Sequence, residues 1–221
     1  MNVVDLLTDD QEQQRKTRRV VGVVVGLVTN NQDPQGLGRV KVKFPWLSDG
    51  TESDWTKIMT FMAGQDRGAV FLPEVSDEVL VAFEHGDVNF PYVLGGLWNT
   101  QAQPPEKNAD GKNNVRKIRS RSGHEVIFRD DNAAQQEQIE IRSNGGHSVL
   151  LSDAAGAEQI LIKDKSGSNY IKIDSMSNSI TVGSTVSLSI KSKMIEIESE
   201  GTMTIKANGP LNVQGAIIKL N

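Results

Sequence analysis

Ile160-Leu161-Ile162, Ile171-Lys172-Ile173 and Ile180-Thr181-Val182 belong to a short triplet that recurs through about the last eighty residues and decides the fold. The same pattern appears as Ile139-Glu140-Ile141, Val149-Leu150-Leu151, Leu188-Ser189-Ile190, Ile195-Glu196-Ile197, Met203-Thr204-Ile205, Leu211-Asn212-Val213 and Ile218-Lys219-Leu220. Successive first members stand 10, 11, 11, 9, 8, 7, 8, 8 and 7 residues apart, so the period starts loose and settles near eight. Alternation with period two places the outer members of each triplet on one face of a strand and the middle member on the other. Asn144-Gly145-Gly146, Ala155-Gly156, Ser166-Gly167-Ser168, Gly183-Ser184, Glu200-Gly201, Asn208-Gly209-Pro210 and Gly215 separate the triplets and supply the bends. The pattern predicts many very short strands on a regular pitch.

Such a unit presents about two inward side chains, each contributing roughly 1.5–3 kcal/mol when fully buried. Ordering the backbone costs about 1–2 kcal/mol per residue, so one chain of such units does not stabilise itself. A self-contained β-solenoid turn needs ~20 residues or more to enclose a core. The expected solution is several chains wrapped together so that the outer members of all ten triplets line a shared axial core, three walls being the smallest closed prism.

The 221 residues suit one or two domains. No apolar run approaches the ~18 residues of a membrane span. Met1 to Arg19 lacks the apolar core of a signal peptide, which leads us to expect synthesis in the cytoplasm and export only on ejection from an assembled particle. With no cysteine, rigidity must come from sheet hydrogen bonds and packing. The net charge of −4 argues against a nucleic-acid partner, and the Arg15-Lys16-Thr17-Arg18-Arg19 cluster reads as solvated linker.

From Val20 the pattern becomes that of a small barrel. Val20–Thr29, Arg39–Phe44, Trp55–Met62, Glu78–Glu84 and Pro91–Trp98 read as five antiparallel strands in ~80 residues, with a loop at Asn30–Gly38 and a connection at Gly64–Pro73. The expected organisation is a polar segment 1–19, an OB-fold barrel 20–100, a polar linker 101–116 and a trimeric β-prism 117–221.

Val23–Val28, Asp33-Pro34-Gln35-Gly36-Leu37-Gly38-Arg39-Val40-Lys41-Val42, Pro45-Trp46, Val79–Asp87 and Pro91-Tyr92-Val93-Leu94-Gly95 together resemble the OB domain of central spike proteins. That family includes the VgrG proteins of type VI secretion and the baseplate spikes of contractile phage tails. Arg119-Ser120-Arg121-Ser122-Gly123-His124-Glu125-Val126-Ile127-Phe128-Arg129-Asp130-Asp131 is similar to the segment with which those proteins enter their trimeric prism. The resemblance implies a homotrimer, and a non-enzymatic, envelope-piercing needle without cofactor or metal. VgrG proteins carry a large hub region ahead of the barrel, whereas 19 residues stand there here, so a separate hub protein is expected at the N-terminal end. The resemblance also implies a conical PAAR-repeat tip protein at the C-terminal end, docking near Ile217, Lys219 and Asn221 on a blunt apolar platform.

Other chemistry is weaker. Gly36-x-Gly38 lacks the strand-to-helix context of a nucleotide loop and reads as a turn. Glu84-His85-Gly86-Asp87 reads as a polar turn rather than a metal or acid–base site. His124 with Ser122, Asp130 and Asp131 reads as structural, because adjacent residues of a strand point to opposite faces. Two other function classes stand beside the spike: an OB-fold nucleic-acid binder, which needs a basic groove with stacking aromatics, and a trimeric fibre with a carbohydrate-binding tip.

The register is open to a direct check. Ile197→Lys places an unpaired charge on the inward face, costing several kcal/mol per chain, and is expected to prevent assembly. Glu196→Lys, one residue away on the other face, is expected to be nearly silent. Size-exclusion chromatography distinguishes them, and equal damage from both places the register wrongly.

Overall fold

The computed structural model describes residues 19–47 and 52–219. Residues 1–18, with most of the basic cluster, and Leu220 and Asn221 lie outside the described residues. The chain divides between Asn113 and Asn114 into two units.

The first unit is built from β1 (Val23–Asn30), β2 (Lys41–Lys43), β3 (Lys57–Ile58), β4 (Ala63–Gly64), β5 (Arg67–Gly68), β6 (Glu78–Phe83) and β7 (Pro91–Gly96). Five of these form one curled sheet in the order β2-β1-β6-β7-β3. Its ends approach through bridges from Val40 to Thr56 and from Lys43 to Glu52, with Thr56 N–H donating to the Val40 carbonyl at 2.7 Å and Val40 N–H returning to Thr56 at 3.0 Å. The topology is that of an OB fold.

The expectation of five antiparallel strands is corrected at one pair, since β3 runs parallel to β7 with Lys57 opposite Tyr92 and Ile58 opposite Val93. A ring of five strands cannot alternate direction all the way round, so closure requires at least one parallel pair. The third strand is also shorter than Trp55–Met62. After Met59 N–H donates to the Val93 carbonyl at 2.7 Å, the chain leaves the barrel, and β4 and β5 form a separate ribbon inside what reads from sequence as a plain connection.

Alternation along β6 turns Val79, Val81 and Phe83 inward, where they meet Val28, Val40, Val42, Phe44 and Val93. The Phe44 and Phe83 rings lie 5.4 Å apart in a tilted pair at the centre of this core. The loop between β1 and β2 is pinned by one carboxylate. Asp33 accepts from Arg39 Nε and Nη2, both at 2.8 Å, and from the backbone N–H groups of Gln35 and Leu37.

The second unit is a seven-stranded antiparallel meander in sequence order: β8 (Val115–Arg119), β9 (Glu125–Arg129), β10 (Gln138–Arg142), β11 (Ser148–Ser152), β12 (Gln159–Lys163), β13 (Tyr170–Asp174) and β14 (Ser179–Gly183). Val115 and Arg116, read from sequence as linker, are the first residues of β8. Five triplets, from Ile139-Glu140-Ile141 to Ile180-Thr181-Val182, are strands β10–β14. The strands expected at Leu188–Ile190, Ile195–Ile197, Met203–Ile205, Leu211–Val213 and from Ile218 have no ladder partner among the described residues, and 184–219 contains no strand. The change falls where the triplet spacing shortens. Among the described residues these last units have no neighbouring strand, and a strand needs one to satisfy its backbone.

The Asp33 clip makes a pH-dependent contribution. The Arg39 guanidinium, then the loop N–H groups, hold its carboxyl well below the usual carboxylate range. A depressed folded-state value gives stability that is present above the unfolded value of about 3.9 and is lost as pH falls through the folded one. Asp33→Asn is therefore expected to destabilise the barrel at neutral pH by a margin that shrinks steadily below about pH 4, as measured by urea unfolding across pH. A margin unchanged down to pH 2 would refute the clip.

Candidate functional site

The registers of the meander fix which side chains share a face, because directly opposed residues on neighbouring strands point the same way. One row runs Ile118, Val126, Ile141, Val149, Ile162, Ile171 and Val182. A parallel row on the same face runs Arg116, Phe128, Ile139, Leu151, Ile160, Ile173 and Ile180. Apart from Arg116, every member is apolar.

These two rows are the exposed side of the sheet. Ile141 is 52% exposed, Ile162 46% and Ile180 72%. The opposite face carries the charges yet is the better covered one. Along β13, Tyr170, Lys172 and Asp174 are half-buried while Ile171 and Ile173 are exposed, and β10 and β12 begin in the same way. Ile127, in the middle of that face, is 1% exposed. A stable monomer arranges its sheet the other way round.

Ion pairs tie the polar face together. Glu125 Oε1 lies 3.4 Å from Lys117 Nζ and 3.7 Å from Arg119 Nη1, Arg142 Nη2 lies 2.6 Å from Glu140 Oε2, and Lys172 Nζ lies 2.8 Å from Asp174 Oδ2. The Lys172 ammonium, then the Ser177 backbone N–H, holds Asp174 down to about 2. In the turn after β12, the Ser166 hydroxyl and Asn169 amide hold Asp164 down to about 2 as well. Both carboxylates are ionised throughout the neutral range, so this face keeps its charge and resists burial.

The turns carry a repeat that the triplet reading passes over. Ser120-Arg121-Ser122-Gly123-His124 and Ser143-Asn144-Gly145-Gly146-His147 close β8–β9 and β10–β11 in the same way. In each, the histidine N–H donates to the serine hydroxyl at 3.0 Å and the glycine N–H donates to the serine carbonyl. The turns contact one another, with Asn144 N–H donating to His124 Nδ1 at 3.2 Å. The recurring Ser-x-x-Gly-His spacing was the available signal.

The weaker candidates separate. His124 precedes β9 and Asp130 follows it, so the strand holds them roughly 20 Å apart at about 3.3 Å per residue; Asp130 pairs with Arg116. Glu84–Gly86 is a 3₁₀ turn in which Glu84 accepts from the Tyr92 hydroxyl at 2.6 Å. Of the tip residues, Ile217, Ile218 and Lys219 are exposed, and Leu220 and Asn221 lie outside the described residues.

Residues 24–98 match the type VI secretion system/phage-baseplate injector OB domain. The chain is similar to the type VI secretion system spike protein VgrG1c of Pseudomonas aeruginosa, with 31% identity over 125 residues covering 52% of this chain and 17% of the relative. It is similar to the type VI secretion system spike protein VgrG3 of Vibrio cholerae, with 29% identity covering 53% of this chain and 12% of the relative. A third relative is the actin cross-linking toxin VgrG1 of Vibrio cholerae, with 36% identity over 72 residues covering 31% of this chain and 7% of the relative. The chain spans less than a fifth of the length of these proteins.

A charge placed in the ladder tests what covers it. Ile162→Lys sits between Val149 and Ile171 on the neighbouring strands. At a surface that stays wet, such a change shifts stability by less than about 0.5 kcal/mol. At a face covered by association it is expected to cost several kcal/mol per chain and to lower the thermal midpoint in a concentration-dependent way, while Lys163→Gln on the other face leaves it unchanged. Calorimetry at several protein concentrations makes the comparison.

Proposed function

We propose that this chain, whose residues 24–98 are a phage-baseplate and type VI injector OB domain, is the spike subunit of a contractile injection apparatus. Its second unit assembles as a homotrimer into a rigid needle driven through a target envelope. The observation that carries this reading is the pair of apolar rows left in water by a single chain. Covering about a dozen half-exposed large side chains supplies on the order of 10 kcal/mol per chain at roughly 1.5–3 kcal/mol per full burial, a magnitude suited to offsetting the about 4–15 kcal/mol cost of association.

The outer members of the triplets, from Ile139 and Ile141 through Leu211, Val213 and Ile218, form the axial core of this trimer. Leu188, Ile190, Ile195, Ile197, Met203 and Ile205 find in neighbouring chains the strand partners that their own chain does not provide. The role is mechanical rather than catalytic. A hub protein binding the barrel end and a PAAR-type cone seated near Ile217 and Lys219 complete the proposed particle, and the similarity to VgrG spikes supports both.

The experiment is multi-angle light scattering of the full chain, paired with a pull-down using a PAAR-repeat protein as bait. A trimer that withstands dilution is expected, and deletion of 215–221 is expected to abolish capture while leaving the trimer intact. A folded monomer refutes the spike; a truncated trimer that still binds refutes the docking position alone.

A further inference from the structure

The segment between β3 and β6 leaves the barrel as an arm. Its ribbon pairs Ala63 with Gly68 and Gly64 with Arg67, and two further links run from the Thr60 hydroxyl to the Ala69 carbonyl at 3.0 Å and from the Ala69 N–H to the Met62 carbonyl at 3.2 Å. The arm is nonetheless apolar. Phe61 is 84% exposed and Val70 83%, with Met59, Met62 and Phe71 also open to water. Beneath it lies an open cleft of about 1140 Å³, floored by Ile58, Val93 and Leu94 and continued over Gly95 and Gly96. A Cβ added at either glycine meets nothing within 4 Å, so the floor has room for incoming side chains. The arm is a wall of this cleft and cannot also fill it.

We propose that the occupant is a second copy of the chain: the Phe61, Val70 and Phe71 edge of each arm seats in the cleft of the next copy, closing a ring of three head-to-tail contacts. This inference rests on the trimeric reading above. Contacts between unlike surfaces of one chain close only when the rotation returns to its start, and the trimer of the second unit sets that rotation at three-fold. The area argues the same way. At roughly 150–250 Å² for a fully buried aromatic, two phenylalanines with the adjoining Met, Val and Leu side chains supply about 500 Å². That falls short of the ~800 Å² per partner of a self-sufficient interface. Such a contact forms where copies are already held together. The connection 97–114 does this, its root-mean-square span being about 24 Å for a flexible chain and the effective concentration it gives being in the millimolar range. The arm thus locks the barrels into a collar without itself driving assembly.

The chain has no cysteine, so introduced thiols report alone. Val70→Cys lies at an exposed arm position and Gly95→Cys at an open floor position; Phe61→Cys with Leu94→Cys is a second pair, in case the first misses disulfide distance. After air oxidation, a non-reducing denaturing gel of at least one double variant is expected to show covalent trimers, with each single variant running as a monomer. Three results overturn the proposal while leaving the trimer standing, provided light scattering reports a trimer. These are monomers on the gel for both pairs, a disulfide within one chain, or dimers from an arm cysteine alone, which would mean that the arms meet one another. A monomer in light scattering defeats the trimeric reading and this one with it.

Discussion

A β-sheet has two faces, and in this protein the apolar one is left in water. The seven-stranded meander pairs each strand with its sequence neighbours in one chain, but the described residues leave most of its two rows of Ile, Val, Leu and Phe side chains exposed. The other face carries Lys117, Glu125, Glu140, Arg142, Lys172 and Asp174, which satisfy one another in ion pairs along it, so the apolar rows are the part of the sheet left without partners. In the proposed trimer the cover comes from the neighbouring chains. Folding and association of this unit then become one event, as in obligate oligomers, and its stability depends on concentration.

The barrel solves the same problem alone. Its sheet curls until Val40 bridges Thr56, and the interior is filled by Val28, Val42, Phe44, Val79, Val81, Phe83 and Val93. One unit carries its own core and the other lacks one. In the proposed spike this is a division of labour. The barrel is a self-standing base for other proteins to bind. The needle gains stiffness from chains that hold one another along their whole length.

Charge is placed to support this rather than to do chemistry. The carboxylates held furthest below their ordinary range, Asp33, Asp164 and Asp174, are each engaged by a neighbouring cation, hydroxyl, amide or backbone N–H within a loop or along one strand. They brace turns and the outer face, and none of the three converges on another titratable group in the manner of an acid–base pair.

The sequence by itself determined the strand periodicity, the alternation of the triplets and the barrel's five principal segments, and it set the expectation of partner chains. All of these follow from local alternation and from how little one short unit can bury. Ile171 and Ile173 against Lys172 is as clear in the sequence as on the sheet. Four features emerged only from the tertiary structure. The parallel β3–β7 pair follows from closing a ring with an odd number of strands. The apolar arm sits inside a stretch whose Gly64 and Gly68 read as a connection. The contact between the two Ser-x-x-Gly-His turns, whose shared spacing is legible in the sequence, appears only in the fold. The fourth is the boundary at Gly183, where strands that pair within the chain give way to segments that do not. The triplets on either side of that boundary look alike because alternation reports which face is apolar, whereas pairing depends on which segment the folded chain brings alongside.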